Sequence, residues 1–186
     1  MAKIVLVTGG SRSGKSSFAR RLAESTGGPR AFVATCPKGL DREMEQRILR
    51  HRRERSRKKW RTIEEPVNLA RALAVNRKYN VMLVDCLTLW IHNLMHEAEK
   101  KRREITEDDI RKTAIRLLKV CRTRPGMVIF VTNEVGLGIV PANALARRFR
   151  DLAGRCNQVV AESADMVVLL VSGIPLTLKD ERRRKD

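Results

Sequence analysis

The sequence predicts an α/β fold: a mostly parallel sheet with helices on both faces and an antiparallel strand at its C-terminal edge. Three observations carry this expectation. Apolar, β-branched runs without polar alternation recur at 3–8 (KIVLVT), 30–35 (RAFVAT), 80–86 (NVMLVDC), 126–133 (GMVIFVTN) and 164–173 (ADMVVLLVSG), the pattern of strands covered on both faces. Helical stretches separate them near 14–26, 40–57, 66–78, 87–100, 106–124 and 143–163. After the last run, Gly173-Ile174-Pro175 is too short for a crossover, so 173–179 is expected to return as an antiparallel edge strand.

The 186 residues suit one domain, expected over 1–180, with a basic tail, ERRRKD, at 181–186. Lys and Arg number 39 against 21 acidic residues, a net charge of +18 that calls for anionic partners such as nucleotides, nucleic acid or a membrane surface. The opening MAKIVLVTGG reaches a glycine turn too soon for a secretion signal or a membrane span. Cys36, Cys86, Cys121 and Cys156 are widely spaced without a C-x-x-C pair, which argues against a zinc site or a disulfide framework and for reduced thiols in the cytoplasm.

Between the first strand and the first helix lies GGSRSGKSS, in which Gly9 is followed after four residues by Gly14-Lys15-Ser16. This is the G-x-x-x-x-G-K-[ST] phosphate-binding pattern in the strand–helix context it requires. Glycines let the backbone amides of Gly9, Gly10, Ser11, Arg12, Ser13 and Gly14 turn toward phosphate oxygens, and the helix N-terminus adds positive potential. In that chemistry Lys15 reaches the terminal phosphates and the Ser16 hydroxyl ligates Mg²⁺. Such a site also needs a carboxylate at the end of a neighbouring strand, and Asp85, after the apolar VMLV, is the candidate second metal ligand. Helix capping is the alternative role for Asp85.

After the second strand comes DREMEQRILRHRRERSRKKWRTIEEP, read as one amphipathic helix with a Met44, Ile48, His51 stripe. Residues 47–60 hold eight Arg or Lys side chains around His51. A neutral imidazole is a good nucleophile near pH 7, and flanking arginines would neutralise a phosphate under attack. The same helix could grip a nucleic-acid backbone, but aromatic residues for base stacking make up only 4% of the chain, so nucleic acid is the disfavoured partner. His92 and His96 share a helix face without a third ligand and stay unassigned. In the long loop 133–148, Asn133, Glu134 and Arg147 are candidates for the second substrate or a subunit interface, with loop structure and N-capping by Asn143 as the alternative.

Together these segments resemble the bifunctional adenosylcobinamide kinase/adenosylcobinamide-phosphate guanylyltransferase family of cobalamin biosynthesis. The resemblance spans roughly residues 3 to 179. It rests on VTGGSRSGKSSFA (7–19), FVAT (32–35), DREMEQRILRH (41–51), WRTIEEP (60–66), LVDCLTLWIHNL (83–94), VTNEVGLGIVPANALARRFRDLAGRCNQ (131–158) and SGIPLTLK (172–179). It implies that His51, in the R-I-x-x-H pattern begun by Arg47 and Ile48, accepts GMP from GTP. It further implies nucleotide contacts from the loop 9–16, from Thr35, Cys36 and Pro37, and from Arg52, Arg53, Glu54 and Arg55. Glu64 matches a carboxylate near the base, and a carboxylate can accept two N–H bonds from guanine that adenine cannot offer in that geometry.

The activities implied are phosphorylation of adenosylcobinamide with ATP or GTP and Mg²⁺, then transfer of GMP from GTP to adenosylcobinamide phosphate, in a homotrimer. The chain departs from the family in having Ser56 and Arg57 where proline is usual, and in the charged insert 97–109. The alternative expectations are a phosphate-loop ATPase that binds nucleic acid through 47–61, and a small-molecule kinase in which His51 is inert.

Overall fold

The computed structural model describes residues 1–37 and 60–181. The helix expected over 40–57, with His51 and Arg52 to Arg55, and the tail 182–186 lie outside the described residues.

The apolar runs form strands and the amphipathic stretches form helices, in the order β1 (Lys3–Gly9), α1 (Lys15–Ser25), β2 (Arg30–Ala34), β3 (Trp60–Glu64), α2 (Leu69–Val75), β4 (Val81–Asp85), α3 (Leu87–Lys100), α4 (Glu107–Arg122), β5 (Met127–Val131), a 3₁₀ turn (Val135–Leu137), α5 (Ala144–Ser163), β6 (Met166–Val171) and β7 (Ile174–Asp180). They build one seven-stranded sheet in the order β3-β2-β4-β5-β1-β6-β7. All pairs are parallel except β6 with β7, where the expected antiparallel return is found with a register shift between Val167 and Val168.

Successive side chains of a strand face opposite sides of the sheet, and the core divides accordingly. Ile4, Leu6, Met82, Val84, Val128 and Phe130 pack under α2, α3, α4 and α5, while Val5, Val7, Leu83, Ile129 and Val131 pack under α1. Small residues Ala19 and Ala23 form the buried side of α1, which lets the helix lie close on the sheet. Phe130 is fully buried between the layers, a position at which truncation to alanine costs about 3–5 kcal/mol.

One sequence expectation is corrected. Residues 60–64 are not the end of the basic helix but the parallel edge strand β3, paired with β2 from Arg30↔Trp60 to Ala34↔Glu64. The charge run before Trp60 masked a short strand whose β-branched Thr62 and Ile63 suit a half-buried edge. The nucleic-acid alternative had counted Trp60 and Arg61 as helical; both belong to this strand.

Side-chain caps close the starts of the two longest helices. Thr106 and Asp109 form a reciprocal capping box at the start of α4, and the Asn143 side chain accepts from Ala146 N at the start of α5. Among the described residues no helix is long and apolar enough to cross a membrane.

Candidate active site

The loop from Gly9 to Ser16 has the backbone that its glycines permit. Gly9 has φ 150° and its Cα faces the Leu170 carbonyl so closely that an added Cβ would lie 2.4 Å from that oxygen. Gly14, the N-cap of α1, has φ 92°, and Arg12 occupies the left-handed region at φ 55°. Ser13 N donates to Gly10 O at 3.3 Å and Gly173 N donates to Ser13 O at 3.0 Å, which ties the loop to the β6–β7 turn. The amides of Lys15 and Ser16, at the first turn of α1, have no acceptor among the described residues.

Two further groups in the loop are poised for an anion. The Ser13 hydroxyl is buried without a hydrogen-bond partner among the described residues. The Lys15 ammonium folds back onto Gly10 O at 2.6 Å. Burial lowers the Lys15 pKa, and the nearby Asp85 and Glu134 carboxylates offset part of that effect. A buried cation with a backbone carbonyl as its hydrogen-bond partner, beside an orphaned hydroxyl and unpaired helix amides, fits the phosphate chain of a nucleotide.

Register places the carboxylates. Glu64, Ala34, Asp85, Val131 and Val7 are level with one another across β3, β2, β4, β5 and β1, so Glu64 and Asp85 both stand at the carboxyl edge of the sheet. With strands about 4.8 Å apart, their backbones are separated by about 10 Å. The chain leaves β1 toward one side of the sheet and leaves β5 toward the other, making the gap between these adjacent strands a topological switch point, where α/β sheets place their ligands. The N-cap position of α3 is Cys86, one residue after Asp85. Among the described residues no group of three or more acidic, histidine or cysteine side chains is placed to hold a metal ion.

The end of β2 is held from below. Thr35 is buried, and its hydroxyl donates to Cys86 O at 2.9 Å while accepting from Cys86 N at 2.8 Å. Asn93 on α3 donates through Nδ2 to Thr35 O at 2.8 Å and to Pro66 O at 2.9 Å, and Trp90 Nε1 donates to Val67 O at 2.7 Å. These bonds bring the 35–37 segment, with half-buried Cys36 and Pro37, alongside the connection that follows Glu64. Glu65, in contrast, is used locally, accepting from Val67 N and Asn68 N.

A second network lies under the switch point. Thr132 Oγ1 donates to Asn157 Oδ1 at 2.8 Å, and the Asn157 amide donates to Asn133 O and to Glu134 Oε1, both at 3.3 Å. Asn133 N donates to Thr88 Oγ1 at 2.8 Å. Thr8 donates its hydroxyl to Glu134 Oε1, and Glu134 N donates to Gly9 O at 3.1 Å. Arg147 instead closes its own loop by donating to Pro141 O and Ala142 O.

The structure thus brings the loop 9–16, Asp85 and Glu134 together, sets Thr35 to Pro37 and Glu64 along the same edge, and leaves Arg147 in a loop-closing role. Sequence reading missed Thr88, Asn93, Thr132 and Asn157, buried polar residues that no ligand or catalytic spacing singles out. His92 packs edge-on against Phe149 and His96 lies 3.7 Å from Glu99, a solvent-exposed pairing.

A mostly parallel sheet with a glycine-rich loop, lysine and serine between β1 and α1 defines the class: an α/β phosphate-loop, nucleotide-binding protein. The profile of the cobinamide kinase / cobinamide phosphate guanyltransferase family matches residues 5–178. The chain is 42% identical over 177 residues to the bifunctional adenosylcobalamin biosynthesis protein CobP of Pseudomonas aeruginosa, covering 95% of this chain and 97% of the relative. It is 39% and 38% identical to the bifunctional adenosylcobalamin biosynthesis proteins CobU of Escherichia coli and Salmonella typhimurium, each covering 95% of this chain and 99% of the relative. The chain belongs to the cobinamide kinase / cobinamide phosphate guanyltransferase family, an enzyme family of kinases and nucleotidyltransferases, as the sequence resemblance implied.

Proposed function

We propose that this enzyme phosphorylates adenosylcobinamide with ATP or GTP, then transfers GMP from GTP through a His51-bound intermediate to adenosylcobinamide phosphate, giving adenosylcobinamide-GDP. The observation that carries the reading is the phosphate loop, with buried Lys15 and orphaned Ser13, in a chain of this family.

In the first reaction the aminopropanol hydroxyl attacks the γ-phosphorus, the bond to the β–γ bridging oxygen breaks, and the nucleoside diphosphate leaves. The amides of 9–16 and the Lys15 ammonium hold the phosphates and take up the charge that moves to the leaving oxygen. Ser16 and Asp85 would hold Mg²⁺, which when bound adds positive charge against the phosphate oxygens.

In the second reaction an imidazole nitrogen of His51 attacks the α-phosphorus of GTP and pyrophosphate leaves. The phosphate oxygen of adenosylcobinamide phosphate then displaces His51. A covalent intermediate divides one difficult transfer into two easier ones. Arg52, Arg53 and Arg55 supply neutralising charge and, with Glu54, Thr35, Cys36 and Pro37, line the nucleotide. Glu64 reads guanine through its N1–H and N2–H groups.

The reading includes a homotrimer and a cytoplasmic setting. Ile174, Leu176 and Leu178 alternate along edge strand β7 and are 55–71% exposed, an apolar stripe that a second copy would cover. All four cysteines are free thiols, which suits a reducing compartment.

Intact mass spectrometry after incubation with GTP and Mg²⁺ tests the transfer. One added GMP on the wild-type chain, labile to acid and stable to alkali, and no adduct on His51→Ala or with ATP, is the expected result. Adduct formation on His51→Ala would remove His51 from the role.

A further inference from the structure

We propose that Glu134 accepts the proton of the attacking hydroxyl in the phosphoryl-transfer step. The inference rests on the kinase reaction proposed above and names the one group that reaction still lacks.

The geometry divides the two oxygens of this carboxylate. Both donors, the Thr8 hydroxyl and the Asn157 amide, fall on Oε1. Oε2 takes no hydrogen bond among the described residues, and the side chain is half-buried rather than dispersed in solvent. A carboxylate anchored by one oxygen and accessible at the other can take a proton from a bound group without giving up its hold on the fold.

Its anchors are themselves fixed. Asn157 is buried, and its Oδ1 is committed to the Thr132 hydroxyl, so its Nδ2 is the atom turned to Glu134. The backbone is fastened from both sides, by Glu134 N to Gly9 O and by Asn133 N to Thr88 Oγ1. Glu134 is therefore tied to the start of the phosphate loop, and positioning of this kind is what proton transfer in a transition state requires.

The site offers this role to no other described carboxylate as well. Asp85 and Glu134 are the two carboxylates whose fields reach the Lys15 ammonium, where the terminal phosphate would lie. Asp85, at the end of β4, is the metal candidate; Glu64 lies on the far side of β2 from it. Glu134 stands at the switch point between β1 and β5, next to Gly9, with its open oxygen left for the second substrate.

The step balances. The hydroxyl O–H bond breaks and its proton passes to Oε2; the freed oxygen electron pair forms the bond to the γ-phosphorus; the γ-phosphorus–bridging oxygen bond breaks with its electrons leaving on the nucleoside diphosphate. The proton is later released to water.

The test uses the full-length enzyme with wild type, Glu134→Gln and Glu134→Ala, measuring kinase turnover with adenosylcobinamide and GMP labelling by GTP. Gln retains an oxygen for Thr8 and Asn157 but is no base. The proposal expects kcat for phosphorylation to fall by about 10²–10⁴-fold in Glu134→Gln, with nucleotide KM and GMP labelling close to wild type. It also expects formate to restore part of the Glu134→Ala turnover. Unchanged turnover in Glu134→Gln, or a parallel loss of nucleotide binding, labelling and turnover without formate rescue, would overturn it. Failure of wild type itself to phosphorylate the substrate would instead remove the kinase reading on which it rests, and the two failures are told apart by that control.

Discussion

The hydroxyl of Thr35 and the peptide groups of Cys86 are bonded in both directions, donating to the carbonyl at 2.9 Å and accepting from the amide at 2.8 Å. One side chain thus clamps the carboxyl ends of β2 and β4 together, and it does so one residue past Asp85. Replacing Thr35 by valine keeps the shape but leaves the Cys86 amide and carbonyl buried without this partner. Thr35→Val is expected to cost about 1–3 kcal/mol, and at about 2–4 °C per kcal/mol for a chain of this size the loss is readable by thermal unfolding. Thr35→Ser, which retains the hydroxyl, should recover most of it.

Lys15 sets function against stability. Its ammonium is buried, and burial lowers its pKa despite the neighbouring carboxylates. Lys15→Met should lose phosphoryl transfer by at least about 10²-fold yet unfold at the same or a higher temperature than wild type near neutral pH. The sign follows from linkage. A lysine whose folded pKa is depressed penalises the native state fully below that pKa, and the penalty fades as pH rises toward the unfolded value. The stability gap between variant and wild type is therefore expected to narrow in alkaline solution, a trend that denaturant titrations at several pH values would read.

The thiols differ in environment. Burial pushes Cys86 up to about 11 and Cys121 and Cys156 up to about 12, whereas Cys36 is half-buried and its pKa is raised less far. In the native protein at pH 8, a thiol reagent is expected to modify Cys36 ahead of the other three, and all four only after denaturation. Bound nucleotide should slow the Cys36 reaction; an equal rate with saturating GTP would take this residue out of the nucleotide site.

The apolar stripe on β7 gives a prediction about assembly. Leu176→Asp and Leu178→Asp put charge where a second copy would pack. Light scattering should show wild type at three times the mass of one chain and the variants dissociating, while a wild-type mass of one chain would end the homotrimer reading.

Much of the fold was legible because its signals are local. Fully buried parallel strands need unbroken apolar runs, and the phosphate loop needs glycine where φ is positive, so β1, β4, β5, β6 and the Gly9–Ser16 turn could be read from neighbouring residues alone. The short return through Gly173 likewise announced β7. Strand β3 was not legible, because an edge strand is half-solvated and Trp60–Glu64 follows a charge run whose composition favours a helix.

By itself, then, the sequence determined the class of the fold, the phosphate-binding turn and the family, since each depends on residue types at fixed short spacings. Only the tertiary structure decided that Glu134 shares the loop's foundation with Thr8, that Asn157 from a helix more than twenty residues later orients it, and that Thr35 locks the strand carrying Asp85. These are contacts between residues 51 and 126 positions apart, or between a buried polar group and a partner 23 positions away. Nothing in the local sequence specifies such pairs, because the requirement that buried polar groups find partners is met by whichever groups the packing of the sheet and helices brings within reach.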